Sequence, residues 1–267
     1  MGKNPVWSWY IIWYFFVGGV AAGAYVTAAF ADFFGRKEDR QLAKVGFAIA
    51  FPLVLICSIL LILDLGVPGR ALNMFRLFNW SSPMSVGSWV LLGFGLVSLV
   101  SLILVLWDRR GAWRIRRVLA IPGALFGLFI ASYTGVLLGA TNRPIWAANN
   151  WIGPLFLVSA LSTGVAALAL FSARAKLTGF RQVHLFATGF EALLLVLFLQ
   201  SLGAGATLFL TGSFAPLFWG GVVAAGLAIP FGFAFLPRGR AVEAVAAILV
   251  LAGGLALRYL VVTGGQT

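Results

Sequence analysis

The sequence predicts an all-α polytopic membrane protein with eight transmembrane helices. Of its 267 residues, 61% are hydrophobic and only 10% are charged, whereas about 25% are charged in an ordinary soluble domain. Eight apolar segments reach the length of about 20 residues that a helix needs to cross a bilayer. Because the connections between them are short, nearly all backbone polar groups must be satisfied inside helices.

The eight predicted spans follow one another along the whole chain. They cover residues 10–34, 40–64, 84–107, 116–139, 150–172, 183–204, 213–236 and 241–263. Span one begins in "MGKNPVWSWYIIWYFF", which lacks the short apolar core and the small-residue cleavage site of a signal peptide. We therefore expect this first span to be retained in the membrane.

Two stretches of similar sequence suggest an internal repeat. "FFVGGVAAGAYVTAAF" (residues 15–30) and "FLVSALSTGVAALALF" (residues 156–171) carry small residues at many of the same positions. This predicts two four-helix bundles of one topology, residues 1–148 and 149–267, the first with the longer polar loops. The alternative is that small-residue packing faces recur in unrelated membrane helices.

The distribution of basic residues predicts the orientation. Of the 19 lysines and arginines, fourteen lie in or beside loops one, three, five and seven, and five lie on the other side. Since cytoplasmic loops are enriched in Lys and Arg, we expect both termini outside and the odd-numbered loops in the cytoplasm. The net charge of +12 then reflects a multi-pass protein of the cell (cytoplasmic) membrane and indicates no nucleic-acid partner.

The single cysteine, Cys57, and the single histidine, His184, limit the redox chemistry of the protein. Bis-histidine haem needs two axial histidines, and iron–sulfur clusters need several thiolates. We therefore expect neither group, and no metal site, in this chain. Cys57 is expected to be a small core residue, and Arg258, near the end of span eight, to extend its guanidinium towards the interface.

Polar and aromatic groups gather at the outer end of the first four spans. Asp64 ends span two and opens the long connector to Trp89, and Tyr133 lies about 9 Å inside the outer end of span four, by helix rise. Tyr10 and Tyr14 share one face at the start of span one. The alternatives are a solvated Asp64, a helix-to-helix bond for Tyr133, and interfacial anchoring for the tyrosines of span one.

Span six carries a second polar stripe. His184, Thr188 and Glu191 are spaced by four and three residues, so they share one helix face. An acidic residue inside a span is a candidate functional group. The stripe predicts a proton path from the cytoplasm with Glu191 as a relay; the alternative is a structural bond between helices.

These features together favour a membrane-soluble carrier of electrons and protons, such as a quinone. A phenol and a carboxylate can bind the ring oxygens and exchange protons, while the electrons would pass to a cofactor in a partner protein. Two other classes stay open. One is a transporter of repeated architecture for a small solute or an ion, with a site near the midplane, and the other is a membrane anchor that binds no quinone.

Two motifs carry a family resemblance. "DLGxPxRxLNMxRxFNxxSPMSxGSW" at residues 64–89 and "YTGVLL…RPIW" at residues 133–146 resemble the NrfD/polysulfide reductase membrane-subunit family, in a similarity that covers all eight spans. The resemblance implies a subunit of a respiratory oxidoreductase, inactive alone, that binds menaquinone or ubiquinone. It also implies a ferredoxin-like iron–sulfur partner, which leads to a molybdopterin or multihaem catalytic subunit.

The resemblance assigns roles to individual residues. It implies Tyr133 and Asp64 as catalytic and quinone-contacting groups, while Tyr14 and Tyr10 stand where some relatives have histidine and asparagine. The predicted quinone-binding set is completed by Ser85 and Trp89. The predicted partner-docking residues are Arg70, Asn73, Arg76 and Arg143. Val67, Gly69 and Val86 depart from residues that relatives often carry, so details of docking are expected to differ.

Overall fold

The computed structural model describes residues 7–35, 40–65, 69, 75, 78–107, 111–141, 143–147, 149–172, 180–236 and 239–267. Throughout these residues the regular secondary structure is helical, and eight helices are long and apolar enough to cross a membrane. The predicted fold class, an all-α protein with eight spans, is confirmed.

The observed spans lie close to the predicted ones. Spans one to five are Trp9–Phe34, Arg40–Asp64, Pro83–Trp107, Ala112–Gly139 and Ile152–Phe171. Span six is the helix Phe180–Leu202, continued by a 3-10 turn, Gly203–Ala206, and by Thr207–Leu210. Span seven joins Ala215–Leu217, a π-helix at Phe218–Ala228 and Ile229–Phe233, and span eight is Arg240–Gly264.

Spans one and five pack closely in the middle of the molecule. A β-carbon added to Gly23 would lie 1.9 Å from the carbonyl oxygen of Ala160, and one added to Gly164 would lie 2.2 Å from the carbonyl carbon of Gly23. Only glycine permits this approach, as is typical of helix pairs in membranes. The small residues that suggested a repeat therefore form the contact between the two helices.

The remaining spans surround this central pair. Span one also contacts spans two, four and eight, while span five contacts spans four, six and eight. Span three packs on spans two and four, and span seven packs on span eight. Contacts thus cross the boundary at residues 148 and 149 extensively, and the division into two bundles stays a prediction.

A buried ion pair joins spans one and four at one end of the molecule. The Arg116 guanidinium lies 2.7 Å from a carboxylate oxygen of Asp32, and both side chains are buried. Arg117 donates a hydrogen bond to the backbone carbonyl of Asp32. Arg116 and Arg117, near the start of span four, thus hold the two helices together.

Candidate functional site

A cavity of about 460 Å³ lies among the first four spans, at the end of the molecule opposite the Asp32–Arg116 pair. This volume falls in the range of about 300–1,000 Å³ usual for small-molecule sites. Its wall is mostly apolar, with residues such as Ile11, Leu61 and Leu137. Three polar groups predicted from the sequence, Tyr14, Asp64 and Tyr133, meet at this wall although they come from three different spans.

Asp64 is held by the residue that starts span one. The Ser8 hydroxyl donates a hydrogen bond to Oδ1 of Asp64 and accepts one, 3.2 Å long, from the backbone N–H of Tyr10. Ser8 is the N-cap of the helix, which is a favoured role for serine. One hydroxyl therefore caps span one and orients the carboxylate through Oδ1.

Tyr133 lies against span three because that helix has a glycine at the contact. Its hydroxyl donates a hydrogen bond to the backbone carbonyl of Pro83, and its ring stacks on Phe129 with ring centroids 5.5 Å apart. A β-carbon on Gly87 would lie 2.5 Å from the tyrosine ring. Because its proton is given to Pro83, the hydroxyl can only accept a hydrogen bond from a ligand.

Tyr14 can supply a hydrogen-bond donor, whereas Tyr133 supplies an acceptor. Its side chain is buried at the cavity wall, and no described residue accepts a hydrogen bond from its hydroxyl. The backbone carbonyl of Tyr14 accepts a weak hydrogen bond from the Cys57 thiol, 3.7 Å away. Cys57 is itself buried and free, in agreement with the expectation of a core residue.

The cavity thus brings a carboxylate and two phenols around an apolar space large enough for a ring. Such a set can bind a flat, weakly polar molecule through its oxygens and can exchange protons with it. The whole sequence also matches a known family. The profile of the family described as "Polysulphide reductase, NrfD" matches residues 1–267.

This chain belongs to the NrfD family. A curated relative is the C subunit of polysulfide reductase from Wolinella succinogenes, which is 31% identical over 308 aligned residues. The alignment covers 99% of this chain and 96% of the relative. The family implies a multi-pass, quinone-interacting membrane subunit of a respiratory oxidoreductase.

Three other predicted quinone-binding residues do not line the cavity of this NrfD-family protein. Tyr10 is exposed on span one, and the Ser85 hydroxyl accepts a hydrogen bond from the backbone N–H of Asn79. Trp89 packs its ring against Phe78, with centroids 6.1 Å apart. The part of these three residues in quinone binding stays a prediction.

The predicted docking residues Arg70, Asn73 and Arg76 lie outside the described residues. Arg143 is described, and its guanidinium donates a 3.3 Å hydrogen bond to the backbone carbonyl of Gln266. This contact ties the loop after span four to the end of span eight. Docking by all four residues stays a prediction.

The polar stripe of span six is buried in the structure. His184, Thr188 and Glu191 are all buried on one helix. Around the Glu191 carboxylate lie the hydroxyls of Ser159 and Ser162 and the guanidinium of Arg258. The stripe therefore faces span five, which packs on span six.

The expected exposure of Arg258 is wrong. Its side chain is only 1% exposed, and its guanidinium donates hydrogen bonds to the backbone carbonyls of Phe15 and Gly254 and to the Ser159 hydroxyl, at 2.8–3.1 Å. These partners, with Glu191 nearby, satisfy the cation inside the protein, so it has no need to reach the interface.

Sequence reasoning missed several residues that shape the cavity. Ser8 precedes an apolar helix, which is an N-cap signal, yet its bond to Asp64 joins residues 56 positions apart. Gly87 carries no local signal beyond its place in the connector motif. Trp7 precedes span one, and the structure places it in the cavity wall.

Proposed function

We propose that this chain is the quinone/quinol-reactive membrane subunit of a multisubunit respiratory oxidoreductase, and that the cavity among spans one to four is its quinone site. The observation that carries the proposal is the meeting of Tyr14, Asp64 and Tyr133 at one apolar cavity. Membership of the NrfD family supports the same conclusion. The quinone ring is taken to lie between these three groups.

The hydrogen bonds of the site suit proton exchange with the ring oxygens. Asp64 keeps one carboxylate oxygen unbonded to Ser8, and Tyr133 presents an acceptor because its proton goes to Pro83. Both groups can accept hydrogen bonds from the hydroxyls of a quinol. Asp64 is the proposed proton acceptor, and Tyr133 the group that orients the ring.

The electrons are proposed to pass to an extrinsic ferredoxin-like iron–sulfur subunit, and onward to a molybdopterin or multihaem catalytic subunit. We propose that this partner docks on the connector after Asp64, through Arg70, Asn73 and Arg76. Arg143, in the loop after span four, is proposed to contribute to the same docking surface. Replacing Arg70 and Arg76 together with alanine should reduce the share of partner subunits that co-purify in detergent. Full retention of the partners would remove the connector from this role.

A proton path through span six is a further part of the proposal. Glu191 is buried in this span, and the hydroxyls of Ser159 and Ser162 lie near its carboxylate. Thr188 and His184 continue the stripe along the same helix. The path is therefore proposed to run from the cytoplasm along span six, through His184 and Thr188, with Glu191 as the relay.

The proposed site can be tested by the substitution Tyr133→Phe, which keeps the ring and removes the hydroxyl. We expect quinone-linked turnover of the assembled complex to fall at least tenfold while assembly is unchanged. Tyr259→Phe is the matched control, because Tyr259 stacks on Trp9 and does not line the cavity. Equal turnover in both variants would count against the site.

Mass spectrometry of the purified complex separates this proposal from a quinone-free anchor. We expect menaquinone or ubiquinone to co-purify in roughly stoichiometric amount and to be displaced by a quinone-site inhibitor. A complex that transfers no electrons to or from added quinone would contradict the proposed function.

A further inference from the structure

Trp7, just before span one, is a residue of the cavity wall to which no role has yet been given. It lines the same cavity as Asp64 and Tyr133. Its indole ring rests on two other rings, Phe15 at 5.8 Å and Trp146 at 5.9 Å between centroids. Trp146 is itself held by a 2.8 Å hydrogen bond from its indole N–H to the carbonyl of Val261. Trp7 therefore packs on a ring whose own position is fixed by a hydrogen bond.

The indole N–H of Trp7 is buried, and no described residue accepts a hydrogen bond from it. An indole N–H can only donate, and a buried donor without a partner is unusual enough to require an explanation. The ring of Trp7 lines the cavity, so a turn of the ring that brings its N–H to the cavity surface would let a quinone oxygen satisfy this group. Since indole neither releases nor accepts a proton at physiological pH, it would bind the oxygen without taking part in proton exchange.

The backbone of Trp7 is held by a residue from the far end of the sequence. Its N–H donates a 2.9 Å hydrogen bond to Oε1 of Gln266, and Nε2 of Gln266 donates to its carbonyl at 3.3 Å. The same Nε2 donates to the carbonyl of Val262 at 3.1 Å, and the carbonyl of Gln266 accepts from Arg143. The Gln266 amide thus locks Trp7 to the end of span eight.

We propose that Trp7 contacts the bound quinone through its indole N–H, and that Gln266 is the positioning residue that holds Trp7 at the cavity. The inference rests on the proposed function. It adds a donor to the acceptors Asp64 and Tyr133, so that the ring is held from a second side. It also makes span eight part of the quinone site, although no residue of that span lines the cavity.

The test compares Trp7→Phe, Gln266→Ala and the wild type in the full-length protein, purified with whatever subunits it retains. The probe is a short-chain menaquinone labelled with ¹³C at its carbonyls. We expect Trp7→Phe to raise the dissociation constant about fivefold, as loss of one neutral hydrogen bond implies. One infrared carbonyl band of the bound quinone should move to higher frequency, a change that a purely structural role would not produce.

Gln266→Ala should shift the same band and weaken binding, and the double variant should bind about as weakly as Trp7→Phe alone, because both changes remove one interaction. Trp9→Phe is the matched control, since Trp9 is 60% exposed and lies outside the cavity wall. It should bind quinone as the wild type does.

Wild-type affinity and unshifted carbonyl bands in Trp7→Phe would overturn the inference. An equal loss of binding in Trp9→Phe would also overturn it, since general anchoring of span one would then be the cause. A wild-type protein without saturable quinone binding would overturn the proposed function itself, and the inference with it, so the two failures are distinguishable.

Discussion

Ser8 and Asp64 are joined by a side-chain hydrogen bond that links the start of span one to the end of span two. The serine hydroxyl also accepts from the backbone of Tyr10, so the carboxylate is oriented by a group that is itself fixed by the helix. Such support would keep the proposed proton acceptor within the narrow range of positions that its chemistry needs.

The two roles of Ser8 can be separated by Ser8→Gly. Glycine costs only a few tenths of a kcal/mol at an N-cap, yet it removes the hydroxyl that binds Asp64. We expect quinone-linked turnover to fall about tenfold, with little change in the thermal stability of the complex in detergent. Ser8→Thr, which keeps a hydroxyl, should recover most of the activity. Equal turnover in Ser8→Gly and wild type would show that Asp64 needs no such support.

Gly87→Ala should displace Tyr133 from the cavity wall. The new β-carbon would lie 2.5 Å from the tyrosine ring, and overpacking of this kind costs about 1–3 kcal/mol. Turnover should fall at least as far as in Tyr133→Phe, measured with the same quinol substrate. Gly95→Ala, on the same helix, is the control, because its β-carbon would meet Val54 at an ordinary 3.5 Å. A Gly87→Ala variant with normal turnover would argue against a role for the position of Tyr133.

Arg258→Met should destabilise the protein strongly. The guanidinium bonds spans one, five and eight together through Phe15, Ser159 and Gly254. Its loss leaves these groups and Glu191 without their buried cation. We expect the free energy of unfolding to fall by about 3 kcal/mol. Thermal denaturation in detergent measures the effect, and Arg240→Met, at an exposed position of the same helix, should change little. Similar melting temperatures for the two variants would contradict a structural role for Arg258.

Glu191→Gln tests the proposed proton path. The amide keeps the shape of the side chain but cannot release a proton at physiological pH, so proton movement coupled to quinone turnover should fall at least tenfold. The measurement uses the complex in liposomes with a pH-sensitive dye, and quinone binding should be unchanged. Glu243→Gln, exposed on span eight, should behave as the wild type. Undiminished proton movement in Glu191→Gln would assign Glu191 to helix packing alone.

The sequence alone was sufficient for the fold class and the spans, because bilayer thickness imposes a length and a composition on every helix. It also placed Tyr14, Asp64 and Tyr133 at one depth of the first four spans, since helix rise converts residue number into depth. The structure confirms the eight spans and brings these three side chains to one cavity. Depth, however, says nothing about which faces of neighbouring helices meet.

Only the tertiary structure decided those contacts. Trp7 and Gln266 are 259 residues apart, and their hydrogen bonds depend on how spans one and eight pack. Arg258 was expected at the interface, but partners from three spans satisfy it in the interior. Buried polar groups are paired wherever the packing brings a partner within reach, and partners on other spans, such as Phe15 and Ser159, have no sequence spacing from which they could be predicted.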